Sequence, residues 1–252
     1  MIISAQGLAS SSREVVPLLV PEYHDSKGKL VPLGPKQQKI IALIGAESGL
    51  HFDVKAYPWR RAQKMAQLGY GLLWGVIKTK ERSKYIKFSA PIVTLHHWLV
   101  VPTGYVFPYQ NINSLRGMRV VISSGDLYGD EFDTNRNKLF TVEDEALTRK
   151  ARLTMLAKRR ADVALIGSLH ATAKQLEARL NYLHGDVGDW SVLSKPQSVA
   201  PIHIGAPLGH RLASHLPVIN KAILKLRKRG AIQAVIVSKV KKQDDLQLSQ
   251  PM

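Results

Sequence analysis

The sequence predicts an α/β protein made of two wound units, the second inserted into the first. Three observations carry this. Apolar β-branched runs alternate with helical patterns as β-α-β-α-β between Glu14 and Ile77, the order that winds helices around a largely parallel sheet. A second alternation runs over residues 115–180, and an apolar strand with a long amphipathic helix returns after Val199. Charge divides at the same places. Residues 1–103 and 199–252 hold 23 basic and 8 acidic side chains, a net +15, whereas residues 104–198 hold 13 and 11, a net +2. The discontinuous first unit is thus 1–103 plus 199–252, and the inserted unit is 104–198.

The elements follow in order. Residues 14–20 are apolar and β-branched, a first strand, and residues 21–28 form a polar loop carrying Glu22 and Tyr23. Gly34-Pro35 introduces a helix over 36–49, where Ile40, Ile41, Leu43 and Ile44 recur at helical spacing and Gly49 supplies the stop. A second strand covers 52–56. A second helix covers 58–69: Pro58 suits its start, Ala62, Met65, Ala66 and Leu68 form its face, and Gly69 ends it. Residues 72–77 are a buried third strand, followed by the polar turn Lys78 to Arg82 and the short apolar element Phe88-Ser89-Ala90-Pro91.

Residues 98–102 are apolar and end at Thr103-Gly104. Residues 115–122 read as a turn and a new strand, and after Ser123-Ser124-Gly125 a helix is expected to begin near Asp126. A helix over 146–160 has Leu147, Ala151, Leu153, Met155 and Leu156 as its apolar set. A strand over 161–167, a helix over 168–180, a strand over 199–206 and a final helix over 212–229 stopped by Gly230 complete the chain. The chain is expected to cross between the units near 99–102 and 199–203.

Composition narrows the function classes. With 252 residues the chain can bury a sizeable core, and with no cysteine it has neither disulfides nor a Cys-ligated metal. No run reaches the ~18 apolar residues of a membrane helix. Residues 1–9 read either as the tail of a secretion signal, with Leu8-Ala9-Ser10 as a cleavage zone, or as an unstructured start. The net charge of +17 favours anionic partners, but the basic residues are scattered, as on solvated helix faces, and no specific nucleic-acid site is expected.

Arg82 is the leading candidate site residue. It sits just past the end of a core strand, where open α/β sheets bind ligands, and its planar guanidinium matches a carboxylate with paired donors. No P-loop, Gly-x-Ser-x-Gly elbow or Rossmann fingerprint appears. The Asp133-x-Asn135-x-Asn137 run has Lys138 where a calcium loop needs glycine, and the His96-His97 pair points to opposite faces of a strand. No metal and no cofactor is expected.

The layout resembles the type II periplasmic solute-binding proteins, the extracytoplasmic receptors of ABC importers, of the polar-amino-acid-binding kind. The carriers are Lys27-Gly28, Pro58-Trp59-Arg60-Arg61-Ala62 with Gly69, Thr79-Lys80-Glu81-Arg82, Phe88-Ser89-Ala90-Pro91, Leu115-Arg116-Gly117-Met118-Arg119-Val120, Arg160-Ala161-Asp162-Val163-Ala164, and the closing helix with Gly230. The resemblance implies two lobes joined by two hinge strands and closing on a small anionic or zwitterionic solute. It also implies a periplasmic location, an ABC permease as partner, and action as a monomer without catalysis. By the same resemblance Arg82 binds the solute carboxylate, Trp59 stacks on the solute, and Ser124, Gly125, Asp126 and Leu127 form a glycine turn and helix N-terminus in the second lobe.

The chain departs from that pattern in three places. The acid that binds an α-ammonium has no counterpart at Gly167-Ser168. The serines accompanying the arginine are replaced by Trp74, Gly75 and Ile77, and an expected Asp is Tyr70. These departures point away from an ordinary α-amino acid, with Glu22 the replacement acid and Tyr23, Trp74, Gly75, Ile77 and Ser168 as further cleft positions. Two other classes stay open: a dehydratase of cyclic acids on the same fold, using Glu22, Asp126 or His170, and a sensory domain.

Overall fold

The computed structural model describes residues 14–24, 29–31, 33–146 and 148–238. Lys27, Gly28, Leu147 and residues 1–9 lie outside them.

The first half opens with β1 (Val15–Pro21), the short pair β2 (Tyr23–His24) and β3 (Leu30–Val31), then α1 (Pro35–Ser48), β4 (His51–Tyr57), α2 (Trp59–Gln67) and β5 (Leu72–Ile77). β1 lies between β4 and β5 and is parallel to both. Leu18 and Val20 of β1 face one side, against Ile40, Ile41 and Ile44 of α1. Leu19 faces the other, against Ala62 and Ala66 of α2, the alternation that a doubly covered strand requires. Leu68, assigned to the same apolar face, is 59% exposed instead. It is the C-cap of α2, beyond the turn that touches the sheet.

Gly75 breaks the alternation of β5. Its φ is +76°, and the ladder to the partner strand shifts between His203 and Ile204. Leu72 and Trp74 point into one core and Leu73 into the other; beyond the bulge Val76 joins Leu73, and Ile77 rejoins Trp74. A bulge of this kind re-aims the residues that follow it, here the turn that carries Arg82.

Two long strands run between the halves. After a short helical turn at Arg82–Lys84 and β6 (Ile86–Phe88) comes β7 (Val93–Pro102). The expected segment 98–102 is only its second part, because Pro91 and the polar His96-His97 pair interrupt the apolar run. The returning strand is β12 (Ser198–Pro207). The two are antiparallel, from Val93 opposite Ile202 to His97 opposite Ser198. β12 then pairs with β5 and β6, and β7 with β10 (Val163–Ser168) and β11 (Trp190–Val192).

The second half adds β8 (Arg119–Val121), α3 (Asp130–Asn135), β9 (Thr141–Glu143), α4 (Arg149–Ala157) and α5 (Ala173–His184). β8 is parallel to both β9 and β10. The main path of strands is β4-β1-β5-β12-β7-β10-β8-β9, with β6 on β12 and β11 on β7 off this path. Ala164 and Ile166 of β10 pack towards Leu153, Leu156, Leu176 and Leu180 of α4 and α5. Val163 and Leu165 pack on the opposite face with Phe132, Phe140 and Tyr128. The buried apolar clusters therefore separate: residues 16–95 and 202–235 supply those of the first half, and residues 98–193 those of the second, with partly buried Leu169 packing across onto the first.

Further boundaries differ from the sequence reading. No helix starts near Asp126, since α3 begins at Asp130. α5 begins at Ala173 behind a Thr172 cap, because Ser168 is still in β10. The final helix is three pieces: a turn at Arg211–His215, α6 (Leu216–Lys228) and, after left-handed Gly230, α7 (Ala231–Val237).

Candidate functional site

The C-terminal ends of the parallel strands of the two halves face each other. Arg60, in the first turn of α2 after β4, pairs with Asp144 just after β9 at 2.6 Å. The Gln63 amide donates to the carbonyl of Gly125 at 3.3 Å. The Lys80 backbone N–H, past β5, donates to Asp130 at 3.4 Å. Gly125 leaves no room for a side chain between the halves: a Cβ there would lie 2.6 Å from Cγ of Arg60, and its φ is +75°.

Arg82 lies inside this contact zone. Thr79 accepts from the Arg82 backbone N–H at 3.1 Å and from the Ser83 backbone N–H at 3.0 Å, which curls the chain at the end of β5. The guanidinium folds back beneath it and is 2% exposed. Nη1 donates to the Ile77 carbonyl at 3.3 Å, and Nη2 and Nε both donate to Oε1 of Gln63, at 2.9 and 3.3 Å. Its Cζ is 5.8 Å from the Trp59 ring centroid. Glu81 pairs with Lys84 instead, at 2.7 Å. Burial lowers the Arg82 pKa, and Asp126 is the strongest charge opposing that shift.

The second half meets Arg82 through a loop. Residues 123–129 hold their shape by internal bonds: the Ser123 N–H donates to the Tyr128 hydroxyl at 3.0 Å, and Tyr128 and Gly129 N–H groups donate to Asp133 at 3.1 and 3.2 Å. Arg136 ties the loop down, pairing with Asp133 at 2.6 Å and donating to the Asp126 carbonyl at 2.5 Å. Ser124, Gly125, Asp126 and Leu127 thus form a turn and not the expected helix N-terminus. Gly129, with φ +109°, and the Asp133 carboxylate bonded to the Tyr128 and Gly129 N–H groups delay the helix.

Asp126 points its carboxyl inward. Burial pushes it up to about 6, against the pull of Arg82, Arg152, a Ser123 hydrogen bond and Arg136. Two further arginines stand behind it, and sequence reasoning missed both. Arg149 and Arg152 occupy the first turn of α4 and are 6% and 1% exposed. Arg149 donates to the Gly167 carbonyl at 3.4 Å. Burial, with repulsion from Arg152 and Arg179, pushes its pKa down to about 9. Nε of Arg149 and both Nε and Nη1 of Arg152 have no protein partner. The available signal was Thr148 as N-cap followed by cations, where helices favour acids.

The remaining predicted positions are spread more widely. Ile77 contributes its carbonyl to Arg82. Trp74 is 2% exposed in the first-half core, and Gly75 serves the bulge. Trp59 is partly buried, with Nε1 unpaired. Glu22 leaves β1 with its N–H on the Tyr57 carbonyl at 2.9 Å, and the side chain of Tyr23 lies outside the described residues. Ser168 is buried and accepts from the His170 N–H at 3.1 Å. Among the described residues no group of three or more His, Asp or Glu side chains could hold a metal ion.

No protein-family model matches the chain, and no curated protein is similar to it in sequence. Solved structures match over nearly its whole length. An amino-acid ABC transporter substrate-binding protein, AbpA from Streptococcus pneumoniae, bound to L-arginine, superposes with a TM-score of 0.69 at 18% identity. That match covers 94% of this chain and 97% of the other. The chain has the type II periplasmic-binding-protein fold. Two other solved structures are similar. The GluR0 ligand-binding core from Nostoc punctiforme in complex with L-glutamate gives 0.68 at 16% identity, covering 87% of this chain and 96% of that one. A histidine kinase sensor domain gives 0.67 at 16%, covering 88% and 94%. In the periplasmic-binding-protein fold the two halves described above are lobes, and β7 and β12 are the strands that join them.

Proposed function

We propose that the chain is a non-enzymatic receptor that captures a small, carboxylate-bearing solute outside the cytoplasm by hinged closure of two lobes. Lobe 1 is residues 1–103 and 199–252, and lobe 2 is residues 104–198. The carrying observation is Arg82, a guanidinium buried at the end of a core strand and opposed by the lobe 2 loop at Ser123 to Tyr128. The solute carboxylate takes the place of Gln63 as acceptor for Nη2 and Nε, and Trp59 supplies an apolar wall. The polar bridges Arg60–Asp144, Gln63–Gly125 and Lys80–Asp130 support a closing movement, since they span the lobes with few polar contacts, the first and last of them exposed.

The similar AbpA structure holds L-arginine and the GluR0 core holds L-glutamate, both solutes with an α-carboxylate. Uptake through an ABC permease, by a monomeric receptor, is the use proposed here. The sensor-domain match favours sensing as the second reading. Among the described residues no helix is long and apolar enough to cross a membrane. The test is a thermal-shift screen of amino acids and small organic acids on the purified chain and on Arg82→Ala. The stabilising solute should lose its effect in the variant, which should itself remain folded. Equal stabilisation of both proteins would remove Arg82 from the site.

A further inference from the structure

The pole of the cleft in lobe 2 carries more positive charge than the protein neutralises. Four arginines act there: Arg82 from lobe 1, and Arg136, Arg149 and Arg152 from lobe 2. Two carboxylates face them. Asp133 is taken by Arg136 at 2.6 Å. Asp126 lies within electrostatic reach of Arg82, Arg152 and Arg136, and Arg136 bonds its main-chain carbonyl. Arg149 and Arg152 then remain in excess, and Arg179 adds to the repulsion on Arg149. Both sit in the first turn of a nine-residue helix capped by Thr148, with no acid in that turn. The helix N-terminus is itself a partial positive charge. A buried cation with unpaired donors is costly unless something neutralises it. Arg152 is 1% exposed, with Nε and Nη1 lacking any protein acceptor, yet it acts on the same Asp126 that faces Arg82.

We propose that the solute carries two acidic groups, one held by Arg82 and the second held in lobe 2 by Arg152 and Arg149 at the N-terminus of α4. This rests on the cleft reading above and names the class of solute: a small dianion, either a dicarboxylate or a carboxylate with a phosphate. The guanidinium fork of Arg152 matches either group. Closure on such a solute brings its two ends between cations from opposite lobes, so the solute supplies the negative charge the cleft lacks. An ammonium group in the same place would meet Arg149 and Arg152 instead of an acid.

Isothermal calorimetry on the full chain tests this with succinate, glutarate and 2-phosphoglycolate against butyrate and L-glutamine. The diacids should bind roughly 10- to 100-fold more tightly than the single carboxylates, the value of one charge-assisted contact. A preference for 2-phosphoglycolate over both dicarboxylates assigns the second group as phosphate, and the reverse assigns a carboxylate. Arg152→Met should erase the diacid preference, and Arg152→Lys should keep part of it. The ligand-free Arg152→Met protein should unfold at a higher temperature than wild type, because a buried uncompensated charge is gone. A merely structural arginine would give a lower one, and that result would overturn the proposal. So would the absence of binding by all three diacids, or tighter binding of L-glutamine. If Arg82→Ala abolishes binding while Arg152→Met keeps the diacid preference, the cleft reading stands and this inference falls. If Arg82→Ala leaves every probe bound as before, the cleft reading itself falls.

Discussion

Replacing Asp126 with asparagine should stabilise the ligand-free protein at neutral pH and have little effect in acid. Burial lifts this carboxyl from 3.8 to about 6, even though three arginines and a Ser123 hydrogen bond pull the other way. At 1.36 kcal/mol per pH unit, the charged form costs about 3 kcal/mol in the folded state. The sign follows from proton counting. Between pH 3.8 and 6 the folded protein holds a proton that the unfolded chain has released. Stability from this group is therefore complete below the unfolded value and is lost as pH rises through about 6. The amide of the Asp126→Asn variant does not titrate and has no such dependence. Urea denaturation of both proteins at pH 4 and pH 7.5 reads the effect as a difference, in which the buried histidines, common to both, cancel. The variant's advantage should grow by up to about 3 kcal/mol from the lower to the higher pH. A difference that is flat with pH, or that grows in favour of wild type, would show Asp126 to be a stabilising partner of the arginines and would refute the reasoning. The same substitution should tighten the binding of a dianion at neutral pH, since it removes a competing carboxylate.

The joining strands and the lobe bridge give further expectations. His97 in β7 is 4% exposed and bonded to Ser198 of β12 at 2.8 Å. Burial first, and then His96, push its pKa down to about 3. Its contribution to stability is complete above the unfolded value near 6.5 and is lost as pH falls towards 3. His97→Gln should remove about 3 kcal/mol of acid sensitivity between pH 7 and pH 4, read by urea denaturation. Unchanged acid sensitivity would mean that the ring is already solvated. The Arg60–Asp144 bridge is 67% and 36% exposed, so a double-mutant cycle on unfolding should give a coupling below about 1 kcal/mol, shrinking with salt. A larger, salt-independent coupling would mean that the lobes are locked together by it.

Much of the fold was legible because its signals are local. Gly49 and Gly69 end α1 and α2, and apolar runs of six or seven residues mark β1 and β5. Strands of two or three residues, such as β2, β9 and β11, are too short to leave a periodic pattern. β7 was seen only in part, since register with β12 and not hydrophobicity holds its polar beginning. Gly230 marks the end of α6 and equally the restart of α7, a choice fixed by packing of Ile232 and Val235 on the core. The same division holds at the site. Arg82 was legible because one strand and one turn place it. The Arg149 and Arg152 pair was not, since their meaning comes from burial against Asp126 and Gly167, residues distant in the chain. Asp126 was expected at a helix start. Its loop setting depends on Asp133 and Arg136 folding back on it.

The central claim is solute-driven closure gripped by Arg82, and a distance between the lobes tests it most directly. The chain has no cysteine, so Gln67→Cys on α2 and Lys174→Cys on α5, both exposed, give two unique spin-label sites, one on each lobe. Pulsed electron paramagnetic resonance should show a shorter and narrower distance distribution when the solute found by thermal shift is added. The same labels on an Arg82→Ala background should show no change. A distribution unmoved by a solute that demonstrably binds, or closure that proceeds equally without Arg82, would contradict it.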